Sequence, residues 1–529
     1  MSDQPSALRS TLVVSSARGI SAGLTVTLGV LSASAFGTSV QKDAFLVAQT
    51  IPTSVVVFLV GGAYSTLFVT LAAIDRREGF FGMRRYLLRV LGTIALVALP
   101  LILLVELAPQ ACVRVLAPGF PEGSVALAGR LLQVTAVTAL LGLGFSTSSC
   151  LFHTRALLGV PAFASLLPTT VTLLFLGMAV DDLGIQVLSF GPLVGTILAL
   201  TLLWGLTRPF LRDPDGFVAA PRDAETTRGD VRRFWIAFLP MSLGANFGQI
   251  NLVVDNAFAS FLPTGSITML GFAWVIVANA QLLTTGTLAE VFFPRLTRSV
   301  VAQSEETRTL FRSQLRHMLM VTAPIGAGAL AFATPLVRVL FERGAFAPEA
   351  TAGVASLLRA YAPGIVCLGF LSLFSLFLIA QRRFGLIASI AAVMIGLNAL
   401  LDWELIRIFG VEGIALGTSL TVLTHGLVLG SIVRRMLGGI AAAGDGRYVL
   451  KVLGAAALMG ITVAGASAAW EGAFGTDVAA LRLVQACGGM VLGIATYIGL
   501  LLALRVGEAR DLTRRLLGPF LPGRLRREA

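Results

Sequence analysis

Four polar side chains in otherwise apolar stretches could together bind a hard cation. They are Asp255, Asn398, Asp402 and Thr418. The spacing of four residues places Asn398 and Asp402 on the same face of a helix. Carboxylate, amide and hydroxyl oxygens, without sulfur or imidazole, are the ligands that hard cations prefer. The pattern predicts a Na⁺ site, for which the Ile414 carbonyl is a further candidate ligand.

Other interpretations of these residues stay open from the sequence. Asp255 lies about two turns before Pro263, so its carboxylate could simply reach the membrane interface. Asn398 could bond a neighbouring helix, and Asp402 could sit at the interface beside Trp403. Two carboxylates can also share one proton, which makes H⁺ the alternative to Na⁺.

The composition is that of an all-α polytopic membrane protein. Of its 529 residues, 56% are hydrophobic and only 13% are charged, and the mean hydropathy is +0.86. The four cysteines and three histidines show no metal or catalytic spacing, and no nucleophile–base set is apparent. We therefore expect a protein that is not an enzyme. The net charge of +12 is attributed to membrane orientation and not to nucleic-acid binding.

Hydropathy predicts about fourteen transmembrane spans. They lie near 11–36, 44–74, 86–108, 126–152, 157–180, 184–207, 234–262, 266–294, 315–340, 350–381, 384–406, 411–433, 448–470 and 480–506. Arginines concentrate in the loops that follow the even-numbered spans, whereas the opposite loops hold few. Examples are the pairs Arg76-Arg77, Arg84-Arg85, Arg232-Arg233, Arg382-Arg383 and Arg434-Arg435. Because basic loops stay on the inner side, this asymmetry places both termini in the cytoplasm.

An internal repeat indicates two lobes. The sequence Val113-Arg114-Val115-Leu116 recurs as Val337-Arg338-Val339-Leu340, and Pro100 and Pro324 lie the same 224 positions apart. A repeat displaced by six spans predicts two six-helix lobes in a parallel pseudo-twofold repeat, plus two C-terminal helices. The predicted division is an N-terminal lobe 1–207, a cytoplasmic linker 208–233, a C-terminal lobe 234–436, two final spans 437–506 and a basic cytoplasmic tail 507–529.

Six groups of short motifs occur along the chain in the order of one known family. They are Asp43-Ala44-Phe45 with Ile51-Pro52, Gly62-Ala63-Tyr64, Ala117-Pro118-Gly119-Phe120, Pro161-Ala162-Phe163-Ala164, Gln249-Ile250-Asn251-Leu252 through Ala259-Ser260-Phe261-Leu262, and Phe341-Glu342-Arg343-Gly344-Ala345-Phe346. With these motifs the chain resembles a divergent member of the MurJ/MviN lipid II flippases. These belong to the multidrug/oligosaccharidyl-lipid/polysaccharide transporter superfamily.

The resemblance implies a V-shaped bilobal transporter in the bacterial cytoplasmic membrane, with a central cavity exposed alternately to each side. It implies a Na⁺ site at the positions of Asp255, Asn398, Asp402, Ile414 and Thr418. The implied activity is ion-coupled flipping of a lipid-linked saccharide precursor of the cell envelope, lipid II or a related glycan. Membrane lipids and envelope-synthesis proteins are the further partners that it implies.

The substrate cavity departs from the pattern that the resemblance implies. Family members that move lipid II carry cavity arginines able to meet a diphosphate. The corresponding positions here are Ala22, Leu28, Val56-Val57 and Trp274-Val275. Asp43 remains of the charged set, and Arg18 lies one turn before Ala22 on the same helix face, where its alternative role is to reach the cytoplasmic interface.

Two other functions are compatible with the sequence. A small-molecule or drug exporter is suggested by Asp75-Arg76-Arg77 with Arg84-Arg85, which faintly resembles a loop motif of the major facilitators. A non-transporting scaffold for envelope assembly is suggested by the missing cavity arginines. A continuous hydrophilic cavity would favour the flippase, and a sealed apolar one would favour the scaffold.

Overall fold

The protein is described by a computed structural model, and the described part of the chain forms helices and turns. The structure describes residues 4–155, 157–207, 232, 234–236, 238, 247–282, 287–301, 306–440, 442, 444–476 and 478–510. Residue contacts divide the chain into two compact units. Unit 1 comprises Met1–Thr268 and Arg343–Phe346, and unit 2 comprises Met269–Glu342 and Ala347–Ala529.

The helices of unit 1 include two long ones that follow each other at the start of the chain. The elements are α1 (Gln4–Phe36), α2 (Val40–Leu107), α3 (Pro109–Leu116), α4 (Glu122–Thr154), α5 (Gly159–Ala164), α6 (Leu167–Met178), α7 (Val180–Leu183), α8 (Val187–Leu206) and α9 (Phe247–Ala259). Gly79 interrupts α2 with a φ of 63°, a backbone conformation that glycine adopts without steric cost. This break lies between the two spans predicted at 44–74 and 86–108.

Unit 2 begins inside one helix and contains the remaining ones. The elements are α10 (Ser266–Gln281), α11 (Thr287–Val301), α12 (Glu306–Ala331), α13 (Ala333–Phe341), α14 (Pro348–Ala380), α15 (Phe384–Phe409), α16 (Val411–Met436), α17 (Asp445–Phe474) and α18 (Ala479–Ala503). The helices α12 and α13 meet at a bend of 79°. Each unit packs a hydrophobic core of its own, around Leu67 and Leu87 in unit 1 and around Phe311 and Phe377 in unit 2.

The helix lengths confirm a multi-pass membrane protein. Within the described ranges, ten helices are long and apolar enough to cross a membrane, or up to eleven if the bent pair α12–α13 counts as one span. The predicted count of about fourteen is consistent with this number, because the spans predicted at 234–262 and 266–294 include residues outside the described ranges. Nearly all of the predicted linker 208–233 also lies outside them, and the lobe boundaries stay a prediction.

The sequence repeat appears as a repeated piece of local structure. Helix α2 ends at Leu107 and α3 begins at Pro109, and 224 positions later α12 ends at Ala331 and α13 begins at Ala333. Each short helix is amphipathic, and each is followed by a long helix of 33 residues. The repeated sequence therefore encodes the end of a long helix and the start of a short one at equivalent positions in both halves of the chain.

Candidate functional site

The centre of the predicted ion site is a fully buried pair on α15. Asn398 and Asp402 are both 0% exposed, and the Asn398 Nδ2 atom donates a hydrogen bond of 2.8 Å to Asp402 Oδ2. The neighbouring Trp403 is 50% exposed. Asp402 thus points into unit 2, not towards the membrane interface. A carboxylate removed from water needs a cation or a proton to offset its desolvation.

Two glycines bring α16 against this pair. A Cβ atom added to Gly417 would lie 2.5 Å from Asp402 Oδ1, and one added to Gly413 would lie 2.4 Å from the Leu405 carbonyl. Gly413 and Gly417 form a small-xxx-small pattern, which lets helix backbones approach closely in membranes. The Asp402 carboxylate is therefore enclosed by the backbone of the next helix.

The remaining oxygens of the set come from the same part of α16. Thr418 is 8% exposed and follows Gly417, and its Oγ1 donates a hydrogen bond of 3.1 Å to the Ile414 carbonyl, which is also buried. Together α15 and α16 offer carboxylate, amide, hydroxyl and backbone oxygens in a dry environment. This donor set fits a hard monovalent cation such as Na⁺.

Asp255, the fifth predicted ligand, belongs to unit 1. It lies on α9 and is half-buried. The four other predicted ligands belong to unit 2. The Na⁺ site stays a prediction, and in the described ranges no group of three or more His, Cys, Asp and Glu residues could hold a metal. The set in unit 2 therefore relies on amide, hydroxyl and carbonyl oxygens beside one carboxylate.

Asp43 in unit 1 holds the beginning of α10. Its side chain is 5% exposed and accepts hydrogen bonds from the Gly265 N–H at 2.6 Å and from the Thr268 N–H at 2.8 Å. The Thr268 hydroxyl donates a third bond of 2.6 Å to the same carboxylate. A carboxylate at a helix N-terminus satisfies free N–H groups and interacts favourably with the helix dipole. Asp43 thus ties the start of α2 to the start of α10.

The positions at which the family resemblance implies cavity charges carry neutral side chains. Val56 packs against the core of unit 1, and Trp274 makes an edge contact with Tyr361 at 5.8 Å between ring centroids. Arg18, the predicted substitute cation, lies on α1 and is exposed, as is Ala22. Its role at a substrate cavity stays a prediction.

The loop motif that suggested an exporter has a structural explanation in unit 1. Asp75 Oδ1 accepts hydrogen bonds from Arg155 Nε at 3.1 Å and from Arg155 Nη2 at 2.8 Å. The Arg155 guanidinium also lies over the Phe80 ring. This ion pair joins α2 to the end of α4, so Asp75 is accounted for by packing within the unit.

Two features of these sites could not be predicted from the sequence, namely the helix that packs against Gly413 and Gly417 and the contact of Thr268 with Asp43. The Gly413/Gly417 pair was readable as a small-xxx-small pattern, but its partner helix was not. Thr268 carried no signal, because 225 residues separate it from Asp43. The structure also shows a buried hydrogen bond of 2.8 Å from Asn256 Nδ2 to Thr50 Oγ1, which joins α9 to α2.

Comparison with known protein families gives a match over most of the chain. The family model described as lipid II flippase MurJ matches residues 32–485. A probable lipid II flippase MurJ of Rhizobium meliloti (strain 1021) is 27% identical over 63% of this chain and 63% of its own length. One of Vibrio cholerae serotype O1 is 25% identical over 94% of this chain and 96% of its own.

Solved structures share the fold. A lipid II flippase MurJ in an inward closed conformation superposes with a TM-score of 0.74 at 22% identity, covering 95% of this chain and 100% of the other. An inward-facing multidrug resistance MATE family transporter of the MOP superfamily gives a TM-score of 0.64 at 14% identity, covering 78% and 94%. The all-helical transporter architecture expected from the sequence is confirmed.

Proposed function

Because the chain belongs to the lipid II flippase MurJ family, we propose that it flips a lipid-linked saccharide precursor of the cell envelope across the membrane. The match of the family model over residues 32–485 carries this proposal. It favours a flippase over a drug exporter or a scaffold. The substrate class is a polyprenyl diphosphate-linked saccharide, lipid II or a related glycan.

The substrate class is tested by identifying the lipid that copurifies with the protein. The full chain is extracted in mild detergent, and its bound lipids are analysed by mass spectrometry. A polyprenyl diphosphate-linked saccharide is the expected result. Preparations that hold only bulk membrane phospholipids would contradict the proposal.

We further propose that transport is coupled to Na⁺ bound at Asp255, Asn398, Asp402, Ile414 and Thr418. The burial of Asn398 and Asp402 and the oxygen-only donor set on α15 and α16 support this role. The chemistry that a bound cation supplies is neutralisation of the Asp402 carboxylate. Proton binding to the same carboxylate is the competing mechanism, and Na⁺ and K⁺ salts at equal ionic strength separate the two.

We also propose that Asp43 acts in gating. Its three hydrogen bonds hold the start of α10, a helix that continues from unit 1 into unit 2. Asp43→Ala is expected to lower the transport rate more than it lowers substrate binding, since three donors at the helix start lose their acceptor. Asp182→Ala, which removes an exposed carboxylate from α7, is the matched control. Equal rates for both variants would contradict a gating role.

The orientation in the membrane follows from the arginine distribution. We propose a bacterial cytoplasmic-membrane location with both termini in the cytoplasm, because the loops on that side carry the arginine pairs. A reporter fused after Ala529 that is active only outside the cytoplasm should be silent. The same reporter inserted in the loop around Gly475 should be active.

A further inference from the structure

A cavity of about 1040 Å³ opens within unit 2 between α12, α14, α16 and α17. One part of its wall is apolar and includes Leu319, Phe374, Leu423 and Leu427. The other part is basic and includes Arg312, Arg316, Arg434 and Arg435, and among the described residues of the lining Asp445 is the single carboxylate. Neither Asn398 nor Asp402 lines it, so this cavity is separate from the candidate ion site.

Two of the four arginines are neutralised by neighbouring carboxylates. Arg312 makes a two-armed contact with Asp445, with distances of 2.6 Å from Nη2 and 2.8 Å from Nε. Arg316 Nε lies 2.9 Å from Glu508 Oε1, and its guanidinium stacks 4.0 Å from the Tyr448 ring centroid. These contacts fix α17 against α12 and pair both α12 arginines of the lining with carboxylates.

Arg434 and Arg435 supply the excess positive charge at the rim. Both are exposed and lie in the last turn of α16. Within the described ranges, no carboxylate forms an ion pair with either side chain. Two adjacent guanidinium groups therefore face the cavity mouth with donors available for an anion. Arginine donors of this kind match the oxygens of a phosphate.

We expect the apolar part of the cavity to face the hydrocarbon of the membrane, because it includes exposed leucines on a helix of spanning length. Leu423 is 39% exposed and Leu427 is 65% exposed, and both lie on α16, a helix of spanning length. Leu427 and Arg434 are seven residues apart, or roughly 10 Å along the helix axis. The wall thus changes from apolar to basic along the direction that runs from the hydrocarbon to the headgroup region.

We propose that this cavity binds one anionic diacyl glycerophospholipid of the inner leaflet. One acyl chain lies against Phe374, Leu423 and Leu427, and the phosphate is held by Arg434 and Arg435. A soluble anion would leave the apolar wall unmatched, whereas a zwitterionic lipid would leave the positive charge unmatched. Basic pockets between helices on the cytoplasmic side are known to recognise acidic headgroups.

The consequence of the site is a dependence of helix packing on membrane composition. The lining includes α16, which carries Ile414 and Thr418, and α17, which lies outside the sequence repeat. A bound lipid fills the space between the lining helices and stabilises their packing. This lipid contact does not depend on which substrate is flipped.

The headgroup contact is tested by native mass spectrometry of the full chain with added dioleoylphosphatidylglycerol. We expect retention of this lipid over dioleoylphosphatidylcholine. Arg434→Gln with Arg435→Gln should weaken retention about 25-fold, since each arginine contributes roughly fivefold. The matched control is Arg382→Gln with Arg383→Gln, another exposed pair in unit 2 that does not line the cavity. Equal losses in both double variants would overturn the proposal.

The acyl-chain contact is tested by filling the cavity. Gly426 lines it, and an added Cβ would meet no atom within 4 Å, so Gly426→Leu places a side chain there without a backbone clash. Gly396→Leu on α15 is the control, because Gly396 has equally open surroundings outside the cavity. We expect Gly426→Leu alone to reduce phosphatidylglycerol retention, with unchanged lipid-free unfolding temperatures.

Competition distinguishes a membrane phospholipid from the tail of a substrate. Undecaprenyl phosphate is added to the phosphatidylglycerol complex at equal concentration. Continued retention of phosphatidylglycerol supports the proposal. Displacement of phosphatidylglycerol by undecaprenyl phosphate would overturn it, because the cavity would then belong to the transport path.

Discussion

At the scale of single residues, Asp402 is the carboxylate on which the proposed ion site depends. It is 0% exposed and lies against the backbone of α16 at Gly417. A buried carboxylate that binds a cation only in the folded state makes folding stability depend on that cation. The dependence is measurable without any transport assay.

Asp402→Ala should abolish the stabilisation of the protein by Na⁺. The wild-type chain is expected to unfold at a higher temperature in NaCl than in KCl of equal ionic strength, and the variant should show no difference. Glu404→Gln, which removes a carboxylate 56% exposed on the same helix, should keep the full Na⁺ effect. An equal unfolding temperature of the wild-type chain in NaCl and in KCl would contradict the ion-site proposal.

Gly417→Ala should impair the same site without removing a ligand. The added Cβ would lie 2.5 Å from Asp402 Oδ1, so the carboxylate or α16 must shift. Overpacking of this kind costs about 1–3 kcal/mol, and the Na⁺-dependent shift should shrink. Gly396→Ala, at a position with open surroundings, should leave both quantities unchanged. Equal behaviour of the two variants would show that α16 does not enclose the carboxylate.

Arg18 should matter less than the ion site. A single arginine without partners cannot grip a diphosphate from two sides, so Arg18→Ala should weaken substrate binding only modestly. The measurement is binding of the copurifying lipid to Arg18→Ala and to Asp402→Ala. A larger loss in Arg18→Ala would assign the substrate phosphate to this arginine.

At the scale of secondary structure, the second repeat differs from the first by the helices added to it. In the first repeat, Arg114 pairs with Glu122 at 2.9 Å, and the two side chains are 56% and 80% exposed. In the second repeat, the equivalent Arg338 contacts Glu471 of α17 at 2.7 Å. Arg482 at the start of α18 contacts Glu342 at 3.1 Å. The exposed ion pair of one repeat is thus replaced by a network that anchors α17 and α18.

The two repeats provide an internally controlled test of this network. Glu342 is 11% exposed and is approached by Arg338 and Arg482, so Glu342→Gln should destabilise the protein by about 1–3 kcal/mol. Glu122→Gln removes the exposed counterpart and should change stability by less than about 0.5 kcal/mol. Thermal unfolding of both variants at low and high salt is the measurement. Equal small effects would show that other contacts hold α17 and α18.

The sequence predicted the helices better than it predicted the side-chain contacts between them. The apolar stretches predicted the spans, because length and hydropathy are local properties of the sequence. The recurrence of the Val113 motif at Val337 predicted that the local structure repeats. The sequence did not decide the burial of Asn398 and Asp402, because an aspartate beside Trp403 could also reach the membrane interface. The hydrogen bond that Asp43 accepts from Thr268 could not be predicted from the sequence, since no local rule relates residues 225 positions apart. The exchange of an exposed ion pair for a network likewise depends on how α17 and α18 pack.

At the scale of the whole molecule, the family match identifies the type of transporter, whereas the residues at the cavity positions bear on which lipid it moves. The family model over residues 32–485 places the chain among the lipid II flippases. The neutral side chains at Ala22, Val56 and Trp274 leave the choice between lipid II and a related glycan to the cavity chemistry. A diphosphate recognised without arginine pairs must obtain its hydrogen bonds from other donors.

Complementation of a strain depleted of its lipid II flippase decides this choice. We expect no rescue by this chain despite normal expression, because the positions for charged side chains are neutral on three separate helices. The control is rescue by a lipid II flippase of the same family under the same promoter. Rescue that is lost in Arg18→Ala would show that one cation suffices and that lipid II is a substrate.

We expect the short helices α3 and α13 to make the protein sensitive to bilayer thickness. With 8 and 9 residues they are far shorter than a span, since crossing the hydrocarbon takes about 20. Each is amphipathic and follows a helix break at the same position of its repeat, as expected of segments at the level of the lipid headgroups. A thinner or thicker bilayer should therefore strain both halves of the chain at the two equivalent helix breaks. We expect the transport rate to depend on the acyl-chain length of the surrounding lipids.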